Sequence, residues 1–452
     1  MFQRLIRLRS GSNVLGHTLN NNPPPPIYTR HHVSRRLKGS SAATESSKAP
    51  LAGIHILDFG RILAAPFCSQ ILADYGADVI KIEQPKTGDE TRGYRITNEL
   101  RKWKPEAQPM SFYFAALNRN KRSITLDLKR KAGVEVVHRL VETADVVLEN
   151  FIPGRGDKLG IRYAELSKIN PGLIYCSLSG YGHTGPDSGR AGYDAIATAE
   201  GGLQHITGDP KGPPVRPGLG MIDMSTGLFA HGAIMAALRH RDQTGKGQHI
   251  DCSLFGTQIS MLVNIGANWL NMQHEGQRFG SGHPSIHPVG VWQCKDGMYL
   301  TLSITNDRQF KLLRERLGHP ELPDDVGFAT NDMRVAKREK LDEILSQILR
   351  EKGVDEWMRI FEGSGLAIGP VNTIQKAFEH PQTQARDMVQ SRAWDAVESG
   401  EWKAIGSAVK FSEIEPEIRR LPPKLGEHTE EILAEAGYTR EEIERLRRDG
   451  IF

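Results

Sequence analysis

From Leu51 onward the chain alternates short apolar runs of strand character with amphipathic helical stretches, and this alternation constrains its fold more than any other feature. "GIHILDF" reads as a buried strand, "PFCSQILADYG" as a helix opening on Pro66, and "DVIKIE" as the next strand. The pattern returns in "SITLDL", the helical "KAGVEVVHRLVETA" and "DVVLENF", then in "YAELSKINP" followed by "GLIYCSLSG". Repeated strand–helix–strand units imply right-handed crossovers and an open parallel sheet covered on both faces. Ligands on such sheets bind outside the carboxyl ends of the strands. Those ends fall at 58–66, 83–89, 127–129, 150–154 and 179–185.

A second region has a different grain. Residues 265–290, rich in Gly, Asn, His and Pro, read as linker and loop. "VGVWQCKDGMYLTLS" holds two strand-like runs around a Lys-Asp-Gly turn, a hairpin signal, and helical stretches follow near 306–318, 331–351 and 353–363. The charged tail is helical, with Thr429 and Thr439 as caps. The expected fold is α/β. A large Rossmann-like parallel-sheet domain is built from 51–260 and 395–452, with a smaller α+β domain over 280–380.

The net charge of +4 belongs to the leader. Residues 1–44 carry Arg4, Arg7, Arg9, Arg30, Arg35, Arg36 and Lys38 but no acid, which leaves 51 basic against 54 acidic residues elsewhere, a net of −3. An Arg-rich, acid-free, amphipathic start has the character of a mitochondrial transit peptide, and a mitochondrial (matrix) location is expected. No basic face argues for nucleic acid, and the apolar runs are interrupted, so neither a nucleic-acid nor a membrane partner is expected. Cys68, Cys176, Cys252 and Cys294 lie far apart and read as buried thiols.

Several chemistries lack their motifs. The first turn, "GRILAAP", has no G-x-G-x-x-G for a dinucleotide, and H-E-x-x-H, G-x-S-x-G and P-loop patterns are missing. His231, His240 and His249 have no ligand spacing, and no metal is expected. "NRNKRSI" gathers Arg119, Lys121 and Arg122 at a strand mouth, either as a solvated face or as a phosphate site. Asp223, in "RPGLGMIDMSTG", reads as the N-cap of the helix that follows, with Gly-rich backbone on both sides that lets a ligand approach.

Seven blocks in order, "LDFGRILAAPFCSQILADYGADVIKIEQPKTGDETR", "NRNKRSITLDLK", "DVVLENFIPG", "GYGHTGP…AGYDA", "GLGMIDMSTG", "TGKGQHIDCSL" and "LGEHTEEIL", resemble the class III (CaiB/BaiF) CoA-transferases over about residues 51–450. The resemblance implies a homodimer of interlocked rings and transfer of CoA from succinyl-CoA to glutarate or a related dicarboxylate, with no cofactor beyond the CoA thioesters. It makes Asp223 the nucleophile, with the helix dipole holding it ionised and helix N–H groups or the Gly-rich turn bearing the oxyanion. For CoA it points to Arg61, Leu63, Ala64, Leu126, Lys129, Asn150, Phe151, Lys158, Arg190 and Tyr193, with Asp194 assisting. Gln84 and Lys158 depart from an arginine pattern found in the family. "FGSGHP" (279–284) resembles a flap over the site, and Arg61, Arg119, Arg190 and His283 are candidates for a substrate's distal carboxylate. Acyl-CoA racemases of the same family are the rival reading, but they place a histidine where Tyr193 stands. A non-catalytic acyl-CoA-binding protein is the other alternative.

Overall fold

In the computed structural model, which describes residues 49–320 and 327–452, six strands form one fully parallel sheet. They are β1 (His55–Asp58), β2 (Asp78–Glu83), β3 (Lys121–Thr125), β4 (Val146–Glu149), β5 (Ile174–Ser179) and β6 (Gln248–Ser253), ordered β3-β2-β1-β4-β5-β6. Helices connecting them are α1 (Ala64–Asp74), α2 (Phe112–Asn118), α3 (Lys131–Val141), α4 (Arg155–Leu159), α5 (Tyr163–Ile169), α6 (Asp194–Glu200), α7 (Leu203–Ile206) and α8 (Met221–Thr244). The strand order reverses between β1 and β4, the switch point where ligands of such sheets bind.

Register sorts the apolar residues into two cores. Ile56 lies opposite Val79 and Val146, and Leu57 opposite Ile80 and Val147. Successive side chains leave a strand on opposite faces. Leu57, Ile80 and Val147 therefore join Val136, Val137 and Leu140 of α3 and Ile432 and Leu446 of the C-terminal helices. Ile56, Val79 and Val146 join Leu72 of α1 and Ile234 and Ala237 of α8. Helices on both faces explain why β4 and β5 are buried along their whole length.

Helix α8 has the length and composition of a membrane span, but it packs Ala230, Ile234, Ala237 and Leu238 into the core beside α1. Gly227 makes that approach close: a Cβ there would lie 2.7 Å from the Ala64 carbonyl. The first turns of α1 and α8 are thereby set against each other.

Beyond α8 the hairpin forms as expected, β7 (Val289–Gln293) against β8 (Tyr299–Ser303), and β9 (Ala367–Pro370) adds antiparallel to β8. Trp292, Leu300, Leu302, Phe310, Leu313 and Trp357 form a core of their own under it. A further pair, β10 (Val389–Ala393) and β11 (Glu401–Ile405), was not anticipated and brings Trp394 and Trp402 against Trp103 and Phe114.

Several local expectations need correction. Helix α1 opens at Ala64, so Pro66 is its third residue. The linker expected over 265–290 begins inside a helix, Val263–Met272, whose Ile265, Trp269 and Met272 keep helical spacing despite the Gly and Asn between them. The stretch 331–351 breaks at Lys337 into Asn331–Ala336 and Arg338–Leu349. Thr439 caps its helix in a reciprocal pair with Glu442, but Thr429 caps nothing. Its hydroxyl donates to the Gly426 carbonyl (2.8 Å) and accepts from the Thr125 N–H (3.3 Å), fastening the tail to β3. The leader expected over 1–44 lies outside the described residues.

Candidate active site

The loop leaving β1 rests on a buried block of charge. Asp58 accepts from the Gly60 N–H (2.8 Å), the Ser69 hydroxyl (2.6 Å) and Lys121 Nζ (3.1 Å). Lys81 Nζ donates to the Gly60 carbonyl (2.7 Å) and pairs with Asp89 (3.0 Å), whose other oxygen accepts from the Ile62 N–H (3.2 Å). Both lysines and both aspartates are fully removed from water as side chains. Burial works against the Asp58 charge, but Lys121 and Lys81 hold its carboxyl below the usual value; burial pulls Lys121 down to about 8. Charges this deep persist only when paired, so each salt bridge fixes the backbone of residues 59–63. Across the switch point, Asn150 closes a second lock: its Oδ1 accepts from the Arg61 N–H (3.0 Å) and its Nδ2 donates to the Arg61 carbonyl (2.7 Å).

Asp223 sits above this platform, and it is not a cap. Gly220 occupies the N-cap position of α8, and Asp223 is the third helical residue. The capping carboxylate comes from Asp194, whose Oδ2 accepts from the N–H groups of Ile222 (2.8 Å) and Asp223 (3.3 Å). Leu219 takes the Met221 N–H and Gly220 takes that of Met224. No first-turn N–H of α8 is therefore left to steady the Asp223 charge or an oxyanion, which overturns the helix-end part of the expectation and leaves the Gly-rich turn for the oxyanion. Burial, and then the facing Asp194 carboxylate, raise Asp223 to about 7, with Arg216 pulling the other way.

Its neighbours are consistent with a ligand cleft. A Cβ on Gly220 would lie 2.7 Å from Leu63 Cδ2 and 3.7 Å from Asp223 Oδ2, so the β1–α1 loop and the Asp223 carboxylate meet at this glycine. Tyr113 lies near enough that burial and the Asp223 charge push its phenol up to about 12, and Tyr94 stacks on it at 6.4 Å. Arg216 lies 3.9 Å from Asp194 Oδ1. Sequence reading missed Tyr94, Tyr113 and Arg216; the signal within reach was Arg216 fixed beside Pro217 just ahead of the Gly-rich turn.

The other expected residues divide. Leu63 and Ala64 are buried at the contact with α8, and Arg61 pairs through its guanidinium with Glu90. Asn150 is spent on the Arg61 backbone, while Phe151 borders a cavity of ≈ 230 Å³ that Glu149, Tyr163, Tyr175, His183 and His249 also line. Burial raises Glu149 there to about 7. Lys158 is exposed on α4, Leu126 is buried in the sheet core, and Lys129 is exposed beyond it. Tyr193 is exposed immediately before α6, and Arg190 is held by Glu200 (2.7 Å) and Asp187 (3.3 Å) over the Tyr181 ring.

"NRNKRSI" is neither a solvated face nor a phosphate site. Arg119 is buried on Asp74 (2.7 Å), Lys121 on Asp58, and Arg122 on Asp78 (2.6 Å), Glu431 and Glu435. Partners supplied from distant parts of the chain consume the cluster. Arg119 accordingly leaves the set of candidates for a distal carboxylate. His283 accepts from the Ser285 N–H through Nδ1, and its carbonyl is held by Arg338 (2.7 Å).

A family model described as CoA-transferase family III matches residues 51–429. The chain belongs to CoA-transferase family III. A succinyl-CoA:glutarate CoA-transferase of Mus musculus is 43% identical over 406 residues, covering 90% of this chain and 91% of the mouse protein. An acyl-CoA transferase of Fusarium pseudograminearum is 48% identical over 426 residues, covering 94% and 93%. Among solved structures, a CAIB/BAIF family protein from Brucella suis superposes with a TM-score of 0.77 at 40% identity, covering 86% of this chain and all of that one. As a family III CoA-transferase, the protein presents a part-buried carboxylate, raised to about 7, where the first turns of α1 and α8 meet.

Proposed function

We propose that the protein moves CoA from succinyl-CoA to glutarate or a related dicarboxylate, with Asp223 as the covalent carrier. The observation that carries this reading is Asp223 itself, part-buried, denied the helix N–H groups and raised to about 7. A more basic carboxylate is a better nucleophile, and near neutrality a useful fraction is ionised. The carboxylate attacks the succinyl-CoA carbonyl, giving a mixed anhydride and the CoA thiolate. The thiolate attacks the aspartyl carbonyl, giving an aspartyl-CoA thioester and free succinate. Glutarate then attacks that thioester, releasing thiolate and forming the second anhydride. Return of the thiolate to the glutaryl carbonyl yields glutaryl-CoA and restores Asp223. Every intermediate keeps an activated acyl bond, so no further cofactor is consumed.

The racemase reading needs a second base near neutral pH. Tyr193 stands at that position, where the racemases carry a histidine. The Asn150–Phe151 loop and its cavity suit the nucleotide end of CoA, and a dimer would cover Leu228, Phe229, Ile259, Val263, Trp269, Leu270 and Met272, all exposed on one chain. The large and small domains and the mitochondrial leader complete the same reading, because a matrix enzyme meets succinyl-CoA. Incubation with succinyl-CoA followed by hydroxylamine or borohydride should release CoA from the aspartyl-CoA thioester and convert Asp223 to its hydroxamate or its alcohol, read by mass spectrometry; a site that binds CoA with Asp223 unmodified would leave only the non-catalytic alternative. Glutarate should exceed valerate as acceptor by roughly 10²-fold, since the monoacid leaves a pocket cation unpaired. Equal rates would remove the dicarboxylate pocket while leaving the transferase.

A further inference from the structure

A short diacid bound with one carboxyl at Asp223 brings a second negative charge into a cleft that already holds Asp223 and Asp194. Such a charge needs a cation with free donors. Arg61 is engaged by Glu90, Arg119 by Asp74 in full burial, and Arg190 by Glu200 and Asp187. Arg216 differs. Its nearest carboxylate oxygen, Asp194 Oδ1, is 3.9 Å from Nε, beyond hydrogen-bond reach. That oxygen is itself buried without a hydrogen-bond partner. The guanidinium is half-exposed and makes no hydrogen bond among the described residues.

Position matches the chemistry. Asp194 neighbours both residues: one oxygen accepts the Asp223 backbone N–H at 3.3 Å, and the other faces Arg216. Arg216 therefore stands beside the carboxylate that caps the nucleophile's helix, close enough for its charge to act on the Asp223 carboxyl. The segment carrying it is stiff. Pro213 and Pro214 precede it, Pro217 follows, and a residue before proline is confined to extended backbone. The Val215 N–H also bonds to the Thr207 carbonyl (3.4 Å), tying the segment to the end of α7.

We propose that Arg216 is the specificity residue that grips the distal carboxylate of the diacid through its unoccupied guanidinium donors. This rests on the transferase reading above. Selectivity is read by competition: the enzyme is loaded from succinyl-CoA, equimolar glutarate and valerate are added, and glutaryl-CoA and valeryl-CoA are quantified by mass spectrometry. Both acceptors draw on the same aspartyl-CoA, so effects on the donor half-reaction cancel in the product ratio. In R216Q the ratio should fall by roughly 10²-fold toward one. R216K keeps the charge but loses the planar fork, and should lie between. A purely structural role would lower both products together and leave the ratio at its wild-type value, and that result overturns the proposal. If R216Q is folded but does not turn over, calorimetric binding of glutarate and valerate reads the same discrimination, and a retained glutarate preference overturns it equally. If R216Q does not fold, the R216K ratio decides: a wild-type value overturns the proposal, and a lowered one supports it. Failure of the wild-type enzyme to form either product would instead strike the transferase reading.

Discussion

Asp223→Asn should stabilise the protein at pH 8 while abolishing transfer. In the folded chain the Asp223 carboxyl is raised from 3.8 to about 7, by burial first and by Asp194 second. The folded state thus holds this proton more tightly than the unfolded state. The stability conferred is complete below about pH 4 and is lost as pH rises through about 7. A displacement of about three pH units is worth about 4 kcal/mol at about 1.4 kcal/mol each. Residual water access to a part-buried carboxylate reduces this to about 2–4 kcal/mol. Asparagine has nearly the same shape and carries no charge, so the variant escapes the loss. Urea denaturation at pH 4, 6 and 8 checks this. The two proteins should be nearly equal at pH 4 and separate as pH rises, with the variant ahead. A capping role predicts no gain from Asn at any pH, because Asn caps about as well as Asp. A variant no more stable than wild type at pH 8, or one with the same advantage at pH 4, would refute the reasoning.

Three further outcomes follow from the same geometry. Initial rates at limiting substrate should rise with pH along a limb centred near 7, and Asp194→Asn, which removes the facing charge but keeps an acceptor for the Ile222 N–H, should move that limb to lower pH; an unmoved limb would show that another group titrates. Lys121→Met leaves the fully buried Asp58 short of a cation and should cost about 3–5 kcal/mol in chemical denaturation; a loss under 1 kcal/mol would mean that Lys81 alone holds the block together. Gly227→Val drives side-chain atoms against the Ala64 carbonyl and should cost about 1–3 kcal/mol and slow transfer by prising α8 from the β1–α1 loop; wild-type stability and rate would show that the close approach is dispensable.

The parallel sheet was legible because central parallel strands are apolar on both faces, and runs such as Ile56–Leu57 and Val146–Leu148 have no other economical reading. Boundaries were less so where charge is buried. The start of β3 at Lys121 and Arg122 was hidden because lysine and arginine count as surface in any local pattern. Their partners Asp58, Asp78 and Glu435 are remote in sequence. Asp223 could be singled out from its glycine-rich setting, but its state could not. That state is decided first by burial, then by Asp194, 29 residues earlier, and by Arg216, and all three are set by the tertiary fold. Tyr113 escaped notice because a tyrosine between two phenylalanines in α2 carries no signal of its own until the fold brings it near Asp223.

The division of labour between two aspartates bears directly on the chemistry. A helix start offers few free N–H groups, and a carboxylate that takes them is stabilised as an anion. Had Asp223 capped its own helix, its charge would have been well solvated by the backbone and its nucleophilicity low. Here Asp194 takes the Ile222 and Asp223 N–H groups, so α8 is capped by a residue other than the proposed nucleophile. Asp223 is left with burial and a like charge, both of which raise its basicity. The arrangement costs stability above pH 7. The paired block of Asp58, Lys81, Asp89 and Lys121 keeps residues 59–63 in place beside the first turn of α8. Removing Asp194's charge should therefore make Asp223 a more permanent anion and a poorer nucleophile, so that transfer slows at pH 8 even as its pH limb moves to lower values.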